Sequence, residues 1–262
     1  MINHMSTPIS YNLSTEETPI ILLHGWGMNR QIWGELYTLL PVEIQQRIRC
    51  LDLPGYGDNR VELAEYDLCS LTDWLAAQIN EPSVVIGWSL GGLIAQNLAF
   101  HYPDKVSKIG LVSTSPRFMQ DETWPGIKPD VLTLFLSQLS QDHVKTVERF
   151  LAIQAMGSDS ARQDITALKN VVLSVLPPEQ TALKKGLNIL QKVDLREQLK
   201  QLACPVFALF GKLDSLVPIS VEQEVLMLNP NIQTTRFEKC SHAPFISDKI
   251  KFKTWLLDVI AA

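Results

Sequence analysis

Pro82-Ser83-Val84-Val85-Ile86-Gly87-Trp88-Ser89-Leu90-Gly91-Gly92 runs from a strand-like stretch through a glycine-flanked serine, and Leu93 to Phe100 continues as an apolar helix. A serine on so sharp a strand-to-helix turn has its hydroxyl pushed into the open. The flanking glycines let the two backbones pass without Cβ clashes. The Gly-x-Ser-x-Gly pattern in this context points to Ser89 as an activated nucleophile. The competing reading is a tight turn whose serine is idle.

A hydroxyl is a weak nucleophile, so Ser89 requires a base and an acid that orients it. Behind such a turn they are expected later in the chain, acid before histidine, each after a late strand. Pro205 to Phe210 is strand-like and leads into Gly211-Lys212-Leu213-Asp214; Ile232 to Phe237 is strand-like and leads to His242 in Cys240-Ser241-His242-Ala243-Pro244-Phe245. Asp214 competes with Asp194 and Asp248 for the orienting role. The other histidines fit less well: His4 is near the terminus, His24 precedes the turn, His101 ends the helix after it, and His143 begins an amphipathic run. Donors for an oxyanion follow from the same logic. One is the backbone N–H of Leu90. The other is that of Trp26, in His24-Gly25-Trp26-Gly27 after the strand-like Pro19-Ile20-Ile21-Leu22-Leu23. Trp26 also reads as a core aromatic, and both readings hold together because the donor is backbone.

Strand-like and helix-like runs alternate over the first part of the chain. Strands fit Ile20–Leu23, Ile48–Leu53, Val84–Gly87 and Ile109–Ser113; helices fit Gln31–Leu40, Leu68–Ile79 and Leu93–Phe100. This alternation predicts an α/β fold, a mainly parallel sheet with helices on both faces. From Ser115 to about Lys192 the chain is helix-like, and the sheet pattern resumes at Cys204. The expectation is a single domain over residues 1–262 with residues 115–192 inserted as a helical lid.

With 262 residues, 46% of them hydrophobic and 19% charged, the chain is long enough and apolar enough for one such domain. A net charge of −5 argues against nucleic-acid binding. No basic segment followed by an apolar one opens the sequence, so no signal peptide and a cytoplasmic location are expected. The uncharged run from Pro82 to Pro103 is long enough to span a bilayer, but its internal glycines and polar Gln96 and Asn97 favour a buried strand and helix. No membrane association is expected. Cys50, Cys69, Cys204 and Cys240 are widely spaced and suit reduced thiols. No ligand-spaced His/Cys cluster points to a metal, and the chemistry calls for no cofactor.

Of the 23 Lys and Arg and 28 Asp and Glu in the chain, ten and nine lie between Pro116 and Arg196, leaving 13 and 19 elsewhere. The predicted lid is therefore the less acidic part. Lys145 and Arg149 share one helix face, and Arg162 and Lys169 share another. They read either as solvated surface or as a docking patch for an acidic partner.

The serine turn, the His-Gly-Trp-Gly loop and the Ser, Asp, His order resemble the α/β-hydrolase superfamily. Trp124-Pro125-Gly126-Ile127-Lys128-Pro129-Asp130, Val147-Glu148-Arg149-Phe150-Leu151-Ala152, Ala161-Arg162-Gln163-Asp164 and His242-Ala243-Pro244-Phe245-Ile246-Ser247 resemble the pimeloyl-acyl-carrier-protein methyl ester esterases, carboxylesterases of bacterial biotin synthesis. The resemblance implies hydrolysis of a methyl ester on a carrier-bound pimeloyl chain and a lid that docks the acidic carrier; separately, a monomer is expected. It also implies that the chain lies against Trp26, Leu90 and the stretch Phe150, Leu151, Ala152, Ile153, Gln154. Lys145 and Thr166 stand where the family is expected to carry arginine. From the residues alone, another serine hydrolase on this scaffold (a short-chain esterase, thioesterase, lactonase or C–C bond hydrolase) and a non-enzymatic binding protein remain alternatives.

Overall fold

A computed structural model describes residues 18–139, 141–156 and 160–262; His4 lies outside these. Six parallel strands form one sheet: β1 (Ile20–Leu23), β2 (Ile48–Leu51), β3 (Ser83–Trp88), β4 (Val106–Val112), β5 (Val206–Gly211) and β6 (Gln233–Phe237), in the order β2-β1-β3-β4-β5-β6. Every residue of β1, β3 and β5 is buried, as continuous apolar runs require when helices cover both faces. The edge strands β2 and β6 are partly exposed.

The strand order decides where a site can form. The chain steps from β1 outward to β2, then returns across β1 to β3. Chain direction reverses there, and the loops leaving the carboxyl ends of β1 and β3 diverge to open a crevice. The register pairs Leu23 with Gly87, so both strands end side by side at that crevice. The loop at 24–27 and the Ser89 turn are the two lips.

The helix Leu90–His101 follows β3 at once and is buried from Leu90 to Ala99. It begins three residues before the run read from the sequence, because Gly91 and Gly92 are poor helix formers taken up here by close packing. A Cβ on Gly91 would stand 2.7 Å from the Leu23 carbonyl oxygen, and one on Gly87 would overlap the Gly91 carbonyl. Among the described residues no helix is long and apolar enough to cross a membrane. The run read as the helix Gln31–Leu40 is a 3-10 turn, Arg30–Trp33, continuing into the α-helix Gly34–Leu39.

Between β4 and β5 lie the helices Pro129–Leu139, His143–Ala155, Ala161–Leu173 and Gln180–Lys192. The two stems of this insertion are joined. Leu195 N–H donates to the Pro116 carbonyl at 2.8 Å, and Arg117 pairs with Asp194 at 3.2 Å. The Trp124 indole N–H donates to the Arg117 carbonyl at 2.9 Å, with Arg196 over its ring at 5.4 Å. Trp124-Pro125-Gly126 is thus the knuckle on which the insertion leaves the sheet.

The tightness of the β3 turn makes one substitution decisive. Gly87→Ala should cost about 3 kcal/mol or more, because the methyl meets backbone that cannot move without shifting the whole helix. Urea unfolding measures this; a loss below about 1 kcal/mol would mean that strand and helix are not held at glycine distance.

Candidate active site

Ser89 has φ 54° and ψ −116°, a conformation that non-glycine residues rarely adopt. Its main chain is pinned on both sides: Ser89 N–H donates to the Val112 carbonyl at 3.0 Å, and the Thr114 hydroxyl donates to the Ser89 carbonyl at 2.8 Å. Asp214 stands in the turn after β5, and His242 in the loop after β6. His242 Nε2 lies 2.9 Å from Ser89 Oγ, and His242 Nδ1 lies 2.8 Å from Asp214 Oδ2. The other carboxylate oxygen of Asp214 accepts the N–H groups of Leu216 at 2.8 Å and Val217 at 3.0 Å. Those bonds fix the carboxylate, so one oxygen faces the imidazole. All three side chains are buried, and Nδ1 carries the proton shared with Asp214, which leaves Nε2 to accept from Ser89.

The competing carboxylates are engaged elsewhere. Asp194 pairs with Arg117 and Arg196 at the stems, and Asp248 caps the last helix by accepting the Lys251 N–H at 3.1 Å. His101 ends its helix at the protein surface.

The 24–27 loop runs directly beside the serine: a Cβ on Gly25 would stand 3.1 Å from Ser89 Cβ. This brings the Trp26 main chain to the same crevice as Leu90, whose N–H lies in the first helical turn, where N–H groups have no intrahelical partner. His24 supports this loop. Its Nδ1–H donates to the Gly25 carbonyl at 2.8 Å, and its Nε2 accepts the Leu53 N–H at 3.0 Å. Burial pushes the His24 pKa down to about 4. Nothing in the sequence marks this role.

The residues expected along the substrate chain divide. Phe150 packs edge-on against Trp26 with ring centroids 4.8 Å apart, Leu151 and Gln154 are buried, and Ile153 is half-buried. Ala152 faces solvent on the opposite side of the same helix, so it does not line up with them. Both polar atoms of the buried Gln154 carboxamide lack a partner among the described residues. Beside Leu151 an apolar groove of about 320 Å³ runs between the inserted helices, lined by Val147, Val172, Leu173 and Leu183, with Glu148 and Lys169 at its rim. Trp88, which no motif singles out, donates its indole N–H to the His242 carbonyl at 2.8 Å. Its position between Gly87 and Ser89 was the available signal.

The four cations separate as well. Lys145 pairs with Asp142, and Lys169 pairs with Glu148, both at 3.2 Å. Arg149 and Arg162 are exposed, with no ion pair among the described residues. The Thr166 hydroxyl donates to the Arg162 carbonyl at 2.9 Å.

The family model for the alpha/beta hydrolase fold matches residues 18–249. Pimeloyl-acyl-carrier-protein methyl ester esterases from Vibrio campbellii and Aliivibrio salmonicida are 43% and 44% identical to this chain, over 95% and 96% of its length and 96% and 95% of theirs. The chain belongs to the α/β-hydrolase family, among the pimeloyl-acyl-carrier-protein methyl ester esterases. It is a carboxylic ester hydrolase. An esterase from Exiguobacterium antarcticum shares the fold, with a TM-score of 0.82 at 21% identity, covering 94% of this chain and 92% of the other. The parallel sheet with helices around it is the fold expected from the alternation of runs.

The buried His24 gives a stability signature. Its ordinary value is 6.5 and its folded value about 4, so the unfolded chain binds the proton first as pH falls. Stability is fully present above pH 6.5 and drains away down to about pH 4, by up to roughly 3 kcal/mol from this group. His24→Gln should be less stable than wild type at pH 7 and lose less on acidification. Urea unfolding at pH 7 and pH 4.5 tests it; equal acid losses in both proteins would contradict the assignment.

Proposed function

We infer that this protein hydrolyses the methyl ester of a pimeloyl chain carried on acyl-carrier protein, releasing methanol, as a step of biotin synthesis. The observation that carries the reading is the hydrogen-bonded chain Ser89–His242–Asp214 in a sequence that matches esterases of that name over nearly their whole length. Ser89 Oγ attacks the ester carbonyl carbon as His242 Nε2 takes the hydroxyl proton. The carbonyl oxygen becomes an oxyanion held by the Trp26 and Leu90 N–H groups. The C–O bond to the methoxy group breaks, and His242 returns its proton to the leaving oxygen, giving methanol. Water, deprotonated by His242, then attacks the acyl-enzyme; Ser89 leaves as the alcohol and the product is the free carboxylate. Asp214 keeps the Nδ1 proton in place and stabilises the imidazolium. Every atom of the cycle comes from ester, water and these side chains.

The inserted segment 115–192 acts as the lid. Its apolar groove, which Leu151 lines, suits a methylene chain, and the reading assigns Trp26, Leu90, Phe150, Ile153 and Gln154 to the part of the chain nearer Ser89. The lid cations Lys145, Arg149 and Arg162, which are exposed, and the half-buried Lys169 suit an acidic carrier. Arg149 and Arg162 lead, because Lys145 and Lys169 already hold carboxylates.

Ser89→Ala should abolish labelling by a fluorophosphonate. Ser89→Ala and His242→Ala should each lower kcat by about 10⁴- to 10⁶-fold, with little further loss when combined, and Asp214→Asn by less than either. Full activity in Asp214→Asn would assign the orienting role to another carboxylate. Carrier docking has its own test. Reversing charge with Arg149→Glu and Arg162→Glu together should reduce kcat/KM on the carrier-linked methyl ester by about tenfold, and leave a small soluble ester nearly unchanged. Salt above about 0.5 M should mimic the change by screening exposed pairs. Parallel losses on both substrates would mean that the arginines hold the lid together instead.

A further inference from the structure

The inserted helices reach into the catalytic apparatus as well as covering it. The Trp26 indole N–H donates to the Leu183 carbonyl at 2.8 Å in the protein interior. The main-chain N–H of His242 donates to the Gln154 carbonyl at 3.0 Å. Leu183 belongs to the helix Gln180–Lys192 and Gln154 to the helix His143–Ala155, so two separate lid elements hold the oxyanion loop and the loop of the base. Gln154 lies in the last turn of its helix, where carbonyls have no intrahelical acceptor duty and are free to receive such a donor.

Other contacts act in the same direction. A Cβ on Gly186 would stand 2.7 Å from Trp26 Cδ1 and 3.1 Å from the Tyr56 hydroxyl, so the lid helix lies directly on the indole. The Tyr56 hydroxyl donates to the Ala182 carbonyl at 3.2 Å, and Glu179 N–H donates to the Gly55 carbonyl at 2.8 Å. Ser247, just beyond His242, donates to the buried Asp164 carboxylate at 2.6 Å, and the Asn29 amide donates to the Val171 carbonyl at 3.0 Å. The loops after β1, β2 and β6 are each tied to the insertion. A cover that merely closed over a finished site would not need these bonds.

We propose that Leu183 and Gln154 are positioning residues: through their main-chain carbonyls, the seated lid holds the Trp26 donor and the His242 base in register, so that even an ester too small to touch the lid requires it in place. This rests on the catalytic roles inferred above for Trp26 and His242. Misplacement of a reacting group by about an ångström costs up to roughly a hundredfold in rate, so a small shift of either loop is enough.

Gly186→Ala in the full chain is the test, because its methyl presses the lid helix off the indole without touching the triad. On p-nitrophenyl acetate, kcat should fall about tenfold with KM changed less than about twofold, and phosphonylation of Ser89 by a small fluorophosphonate should slow by the same factor. Far-ultraviolet circular dichroism and Tm establish that the variant is folded. Trp26→Phe removes the indole N–H and the ring edge that Gly186 meets; it should lower kcat about fivefold, and adding Gly186→Ala to it should cost nothing more. Wild-type kcat in Gly186→Ala, a change confined to KM, or an equal loss with and without the indole would overturn the proposal. Failure of the fluorophosphonate to label wild-type protein would instead refute the nucleophile assignment beneath it.

Discussion

β3 and the helix Leu90–His101 meet at glycine distance around Ser89, and the site is built out from that contact. Glycine at positions 87 and 91 lets the helix start within a residue of the strand end, and the serine between them is left at φ 54°. That conformation is costly by itself, of order 1–3 kcal/mol, and persists because the surroundings over-determine it. Val112 and Thr114 grip the Ser89 main chain, and the fully buried β1 and β3 hold the register from below. The hydroxyl is therefore presented at the carboxyl edge of the sheet, where the reversal of strand order already opens a crevice.

From that fixed point the remaining geometry follows by strand succession. β5 and β6 lie on the far side of β4, and the turns after them swing back toward Ser89. Asp214 arrives with one carboxylate oxygen spent on the Leu216 and Val217 amides, which leaves the other for His242. Trp88 fastens the carbonyl of His242, and the helix His143–Ala155 fastens its N–H through Gln154, so His242 is held on both sides of its main chain. The inserted helices thus touch both the loop of Trp26 and the loop of His242.

The strand-turn-helix, the order of acid and histidine, and the parallel sheet were legible because each is local: a turn chemistry, a run of apolar residues, a residue just past a strand end. Boundaries were less so. β4 begins at Val106 and not at Ile109, because Lys108 enters the strand by donating to the Ile260 carbonyl at 3.3 Å at the end of the last helix. β2 stops at Leu51 because the Asp52 carboxylate turns away to accept the Arg30 and Asp58 amides. Asp214 stood out over Asp194 by its place just past a strand end, and the arginines that the fold brings to Asp194 engage that competitor elsewhere. The support from His24, the outward face of Ala152 and the bond from Trp26 to Leu183 depend on partners distant in sequence or on helix phase, which motif reading does not supply.

On the function proposed above, Ser89 hydrolyses the methyl ester of a carrier-linked acyl chain. Intact mass spectrometry of the methyl ester of pimeloyl-acyl-carrier protein, followed over time with wild-type protein and with Ser89→Ala, tests it most directly. Conversion to the free acid, a loss of one methylene mass from the acyl group with the thioester intact, is expected in wild type and none in Ser89→Ala. Release of the whole acyl chain from the carrier, or equal conversion by Ser89→Ala, would contradict it.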